Sequence, residues 1–174
     1  MNILSLRYPK TKLILLTLLS INIIAYALLD TLISALDALA WVGLLILYEL
    51  EADENLANIS KNTQETCRNS LIALVVLVFF GYVYQQEWLE VINALLWFTL
   101  IALLELEIRF PERVAVRQNQ FKMINACVFI CLTAMVPAWL IQSSWLDAYD
   151  ACLWIVAFAM IEVDIFHVLP LRRS

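Results

Sequence analysis

The sequence predicts an all-α integral membrane protein, with six transmembrane helices arranged as three repeated helical hairpins. Three observations predict it: a motif that recurs in register, apolar runs of membrane length, and basic residues confined to one side. The motif is an acid or Asn, then Ala, two residues, Trp, seven residues, Glu, one residue, and an acid. Its copies are Asp37-Ala38-x-x-Trp41 to Glu49-x-Glu51, Asn93-Ala94-x-x-Trp97 to Glu105-x-Glu107, and Asp150-Ala151-x-x-Trp154 to Glu162-x-Asp164. Trp41 and Trp97 are 56 residues apart, and Trp97 and Trp154 are 57 apart. A fixed period across several columns means one structural unit built more than once. The expected organisation is one membrane domain over residues 1–174, with repeat units 1–54, 66–110 and 121–168.

Composition supports the membrane class. Of the 174 residues, 63% are hydrophobic and only 16% are charged, and the mean hydropathy is +0.82. A soluble domain is about half apolar and about a quarter charged. The apolar runs are continuous rather than alternating, so they read as helices and not as barrel strands. Taken in order, the expected helices span residues 13–29, 32–50, 69–84, 88–107, 123–140 and 145–166. Most are near the roughly 20 residues that a spanning helix needs. The third is the weakest and needs Cys67 and Arg68 at its start, with Arg68 reaching toward lipid headgroups. Pro137 is expected to kink the fifth. Short turns join the helices of each hairpin: Asp30-Thr31, Gln85-Gln86-Glu87 and Gln142-Ser143-Ser144.

The basic residues set the orientation. Arg7, Lys10, Lys12, Lys61, Arg68, Arg109, Arg113, Arg117, Lys122, Arg172 and Arg173 all fall on the side that holds both termini and both longer connections. The short turns carry none. The positive-inside rule then places both termini in the cytoplasm, and the expected location is the plasma (inner) membrane. A cleavable signal peptide ending near Ala25-Tyr26-Ala27 is disfavoured, because the run before it is long and forms half of a repeat unit.

Helix geometry shows what the motif presents. A helix turns about 100° per residue, so Asp37, Trp41 and Glu51 share a stripe about 100° wide with Ser34 and Tyr48. The second stripe carries Glu90, Asn93, Trp97 and Glu107, and the third Asp147, Asp150, Trp154 and Asp164. Each has acids or amides toward the outer end, a Trp at mid-depth and an acid at the inner end. Counting about 1.5 Å per residue from Trp88, Trp97 lies about 13 Å and Glu105 about 25 Å into a core about 30 Å thick. An interfacial aromatic belt would not put a Trp there. Polar stripes on membrane helices face protein or water rather than lipid. Glu49, Glu105 and Glu162 sit about 200° from the second acid of their pair, so a regular helix cannot chelate one ion with both. They are expected on a flank. The bland account of the inner acids is that they extend to the cytoplasmic headgroups; the Ala of each copy is accounted for by close helix approach.

Two function classes follow. The first is movement of a cation (proton, sodium or divalent) along a path lined by Asp37, Asn93, Asp150, Trp41, Trp97, Trp154, Glu51, Glu107 and Asp164, flanked by Glu49, Glu105 and Glu162. Rings of carboxylates attract cations and aromatic constrictions gate. Flux through such a path should fall on acidification, as the acids become neutral. The alternative is a noncatalytic accessory or assembly subunit, with the motif serving to pack helices and with other membrane subunits or a second copy as partners. Three hairpins suggest a pseudo-threefold bundle with the motif helices central and the others toward lipid; a row of hairpins fits as well. No nucleophile–base pair, phosphate-binding loop or metal-ligand cluster points to an enzyme, a cofactor or a metal. Cys127 and Cys131 lie one turn apart, yet read as small packing residues because no His accompanies them. Scattered juxtamembrane bases do not indicate nucleic-acid binding.

Overall fold

Polar residues at the ends of the apolar runs set the helix boundaries. In the computed structural model, which describes residues 9–52 and 60–168, the described residues form seven α-helices and no strand. These are α1 (Pro9–Leu29), α2 (Leu32–Ala52), α3 (Lys61–Gln85), α4 (Trp88–Arg109), α5 (Pro111–Val116), α6 (Gln118–Ile141) and α7 (Trp145–Val168). Residues 1–8, 53–59 and 169–174 lie outside the description, and with them Arg7, Arg172 and Arg173.

Thr31 starts α2. Its hydroxyl accepts the Ser34 backbone N–H at 3.1 Å and pairs with the Ser34 hydroxyl at 2.8 Å, which satisfies one of the free donors of the first turn. Ser60 does the same for α3, accepting the Thr63 N–H at 3.2 Å. The α3 helix therefore begins at Lys61, well before residue 69, where the hydropathy pattern alone would start it. The first turns of α3 are polar, so its onset is marked by a cap rather than by hydropathy. The connection after α4 is also more structured than its polarity suggests. Pro111 occupies the first turn of α5, where a missing N–H has no consequence, and the Arg113 guanidinium lies 5.1 Å above the Phe110 ring. Pro137 lies within α6, which is helical from Gln118 to Ile141.

Among the described residues, three helices are long and apolar enough to cross a membrane: Thr11–Leu29, Lys61–Gln85 and Gln118–Ile141. The stretches Leu32–Tyr48 and Trp88–Leu103 are shorter apolar helices. The outward faces match such surroundings. Ile14, Ile21, Ile24 and Leu28 of α1, Leu77 and Phe80 of α3, and Ile130 of α6 are all exposed. Rows of exposed aliphatic side chains on one helix after another are not the surface of a monomeric soluble protein.

The chain divides into two compact units between Gln86 and Glu87. In the first, α2 packs on both α1 and α3. The only two glycines of the chain both lie at the α2–α3 contact. A Cβ on Gly43 would stand 3.0 Å from Leu71 Cδ2, and one on Gly81 would stand 3.2 Å from Ile33 Cδ1. Small residues let membrane helices approach to this distance. Gly81→Leu and Gly43→Leu are each expected to destabilise the unit by about 1–3 kcal/mol through overpacking. The Ala variants should be far milder, because the neighbours are flexible side-chain ends and Ala favours helix by up to about 1 kcal/mol. Unfolding titrations in detergent measure this, and an unchanged midpoint for the Leu variants would refute the close-packing account.

In the second unit α6 packs on both α4 and α7, and α5 contacts α4 and α6. Its core is built from Met135 and Trp139 of α6 with Ala148 and Ala151 of α7, closed over by Leu89, Leu96 and Val136. Bulky residues on α6 meet small ones on α7, which is how a large indole is accommodated between two helices.

Candidate functional site

In each unit a carboxylate accepts an indole N–H: Asp37 within α2 and Glu90 in the first turn of α4. In the first unit Asp37 lies five residues into α2, about 8 Å from its N-terminal end. Its Oδ1 accepts the Trp41 Nε1–H at 3.0 Å. The i, i+4 spacing puts both side chains on one face, so the first Asp/Trp pair of the motif is a hydrogen-bonded pair. The Tyr82 hydroxyl, on α3, donates to the same carboxylate. Tyr82 is only 3% exposed, and neighbouring Gly81 is what lets α3 come close enough to α2. Further buried polar side chains lie toward the same end: Ser34 on α2, and Asn22 and Tyr26 on α1. The bases of α1 and α3 are remote. Arg68 precedes Tyr82 by 14 residues and Lys12 precedes Tyr26 by as many, about 21 Å of helix in each case, and Lys61 lies farther still.

In the second unit Glu90 of α4 is held by Trp139 of α6, whose Nε1–H donates to Oε1 at 2.8 Å. Trp139 is 2% exposed, so this bond is made inside the packed core and ties two helices together. Two of the three motif tryptophans meet at mid-helix. The rings of Trp97 and Trp154 are 6.2 Å apart, edge to face at 65°, and Phe158 lies 4.8 Å from Trp97. Edge-to-face aromatic packing at these separations is favourable beyond the contact area alone. Asn93, one turn before Trp97, is half-buried and its Oδ1 is buried with no hydrogen-bond donor. Asp150 is half-buried at the matching place on α7. The motif alanines Ala38 and Ala151 are buried, in keeping with close helix approach.

The C-terminal ends of the motif helices are less fully described. Glu107 is half-buried. The side chains of Glu49, Glu51, Glu105, Glu162 and Asp164 lie outside the described residues. Tyr48, expected on the polar stripe of α2, is 47% exposed. Trp41 belongs to the first unit, and Trp97 and Trp154 to the second. Among the described residues no group of three His, Cys, Asp or Glu side chains is placed to hold a metal, and Cys127 and Cys131 are exposed on α6.

Sequence reasoning missed Tyr82 and Trp139. Both lie on helices it assigned to lipid contact, and neither belongs to the repeated motif. The available signal was an aromatic residue with a polar tip inside an apolar run, next to Gly81 in one case and near Pro137 in the other. Such side chains, when buried, usually find a partner for the O–H or N–H.

Chemically, each unit holds a carboxylate that accepts an indole N–H, and Asp37 accepts a phenol O–H as well. A carboxylate met by N–H and O–H groups makes charge-assisted hydrogen bonds without acquiring a permanent counter-charge. No family model matches the chain, and neither a curated protein nor a solved structure matches it.

Proposed function

We propose that this chain is a multi-pass membrane protein that moves cations, as a small channel or an ion-coupled transporter, along a path lined by the carboxylates and tryptophans of its three repeats. The observation that carries the reading is Asp37, a carboxylate inside apolar helices whose partners are Trp41 and Tyr82. An intramembrane acid is expensive to keep, and acids with no paired base mark ion pathways in membrane proteins. The mid-helix Trp97–Trp154 contact suits an aromatic constriction. In this reading six helices cross the membrane as three hairpins, both termini are cytoplasmic, and Glu51, Glu107 and Asp164 form the cytoplasmic mouth.

A second reading also has an observation in its favour. The Glu90–Trp139 bond joins α4 to α6 within a packed core, which is what a purely structural motif would do. In an accessory subunit of a larger membrane complex the acids would be helix ties, and no ion would pass.

Purified chain in liposomes tests the first reading. Potential-driven uptake of a cation, with no uptake of chloride, is expected. No flux under any cation gradient rejects it and leaves the accessory role. Reporter fusions after Lys122 and Ser174 should read cytoplasmic and a fusion at Ser143 external. A cytoplasmic signal at Ser143 would remove the third hairpin and the repeat with it.

A further inference from the structure

The surroundings of Asp37 distinguish among cations. An alkali or divalent ion in a dry site needs several oxygen ligands in place of its water shell. Trp41 offers only an N–H, which can donate and never ligate. Tyr82 donates its hydroxyl hydrogen to the carboxylate. The hydroxyls of Ser34, one turn before Asp37, and Thr31, nearly two turns before it, are bonded to each other at 2.8 Å. The two named partners of the carboxylate thus present hydrogens to it, whereas an alkali or divalent ion would need oxygens.

The same neighbours suit both protonation states of the acid. When Asp37 is ionised, Trp41 and Tyr82 both donate to it. When it takes up a proton, the carboxyl gains an O–H that needs an acceptor. The Tyr82 hydroxyl supplies one by reversing its bond, since a phenol both donates and accepts. The Trp41 N–H continues to donate to Oδ1. In both states the carboxyl group and the Trp41 N–H keep a partner.

Other titratable groups are few on the elements packed around it. On α1, Tyr26 is the buried one, with neutral Asn22 a turn farther in. On α3 it is Tyr82, while Tyr84 is exposed. Lys61, Glu65, Cys67 and Arg68 belong to the first turns of α3, about 20 Å or more along the helix from Tyr82. Lys12 is near the far end of α1.

We propose that Asp37, Trp41 and Tyr82 form a proton-binding site, and that the cation this part of the chain takes is a proton. This rests on the cation-movement reading for its purpose, although binding itself is tested without flux. The proton adds to a carboxylate oxygen from water on one side, leaving a neutral acid bonded to Tyr82. It leaves as the carboxylate is restored and Tyr82 turns back to donate.

Infrared difference spectroscopy of the full chain in liposomes tests the proposal. Lowering the pH should raise a protonated-carboxyl band that is lost in Asp37→Asn and shifted in frequency in Tyr82→Phe. Asparagine still accepts from Trp41, and phenylalanine keeps the ring in place, so both variants retain the packing. Exchanging choline for sodium at constant pH should leave the band unchanged. A pH-dependent band that survives Asp37→Asn, no such band at all, or one that sodium removes overturns the proton site. If the band behaves as expected while the liposomes pass no ion, the proton site stands and the transport reading falls.

Discussion

Replacing Glu51, Glu107 and Asp164 together by Gln, Gln and Asn is expected to reduce cation flux to the level of empty liposomes while thermal stability in detergent changes little. The three residues occupy one column of the repeat toward the C-terminal ends of the motif helices. In the proposed path they form a negative mouth. Grouped carboxylates repel one another, and a cation entering the mouth relieves that repulsion, so their charge both draws cations in and excludes anions. The amides keep the shape and polarity and remove only the charge. Helix ends near the headgroups tolerate such an exchange, because a neutral amide there leaves no unpaired charge behind. Flux equal to that of the parent protein would reject the mouth. Collapse of folding, or loss of a co-purifying protein, would favour the accessory-subunit reading. Measuring flux and melting on the same preparations separates these results.

Trp97→Ala is expected to be among the most damaging single changes to the second unit. Trp97 is 7% exposed and contacts the Trp154 and Phe158 rings at 6.2 and 4.8 Å. Truncating a buried Trp typically costs about 3–5 kcal/mol. Here the lower end, about 3 kcal/mol, is expected, because apolar surface released into lipid loses contacts but is not exposed to water. Trp97→Phe should cost only about 1 kcal/mol, since it retains a ring in the same place. Denaturant unfolding in detergent, followed by Trp fluorescence and by circular dichroism, gives both values. A loss below about 1 kcal/mol for the Ala variant would mean that the aromatic cluster does not hold α4 and α7 together.

Local features carried by hydropathy and helical spacing were legible, whereas caps in polar turns and contacts between helices were not. The helical class was legible, because a helix is made from contacts within about one turn and its apolar runs are visible by eye. The Asp37–Trp41 pair was legible for the same reason, since i, i+4 neighbours share a face whatever the rest of the chain does. The early start of α3 was missed, though its signal was local: Ser60 caps a polar first turn that hydropathy does not register. The short helix α5 was hidden in the same way.

The sequence by itself determined an all-helical chain with membrane-length apolar helices and a thrice-repeated Asp/Asn–Ala–Trp motif. The tertiary structure alone decided which side chains complete each site. Tyr82 reaches Asp37 because two glycines bring α3 against α2. Trp139 reaches Glu90 across 49 residues of sequence because α6 packs on α4. Trp97 meets Trp154 while Trp41 hydrogen-bonds its own Asp, so three equivalent columns take different partners. The physical reason is that a periodic pattern specifies the direction of a side chain about its own helix axis, whereas a contact between helices depends on which helices pack, how closely, and at what relative height.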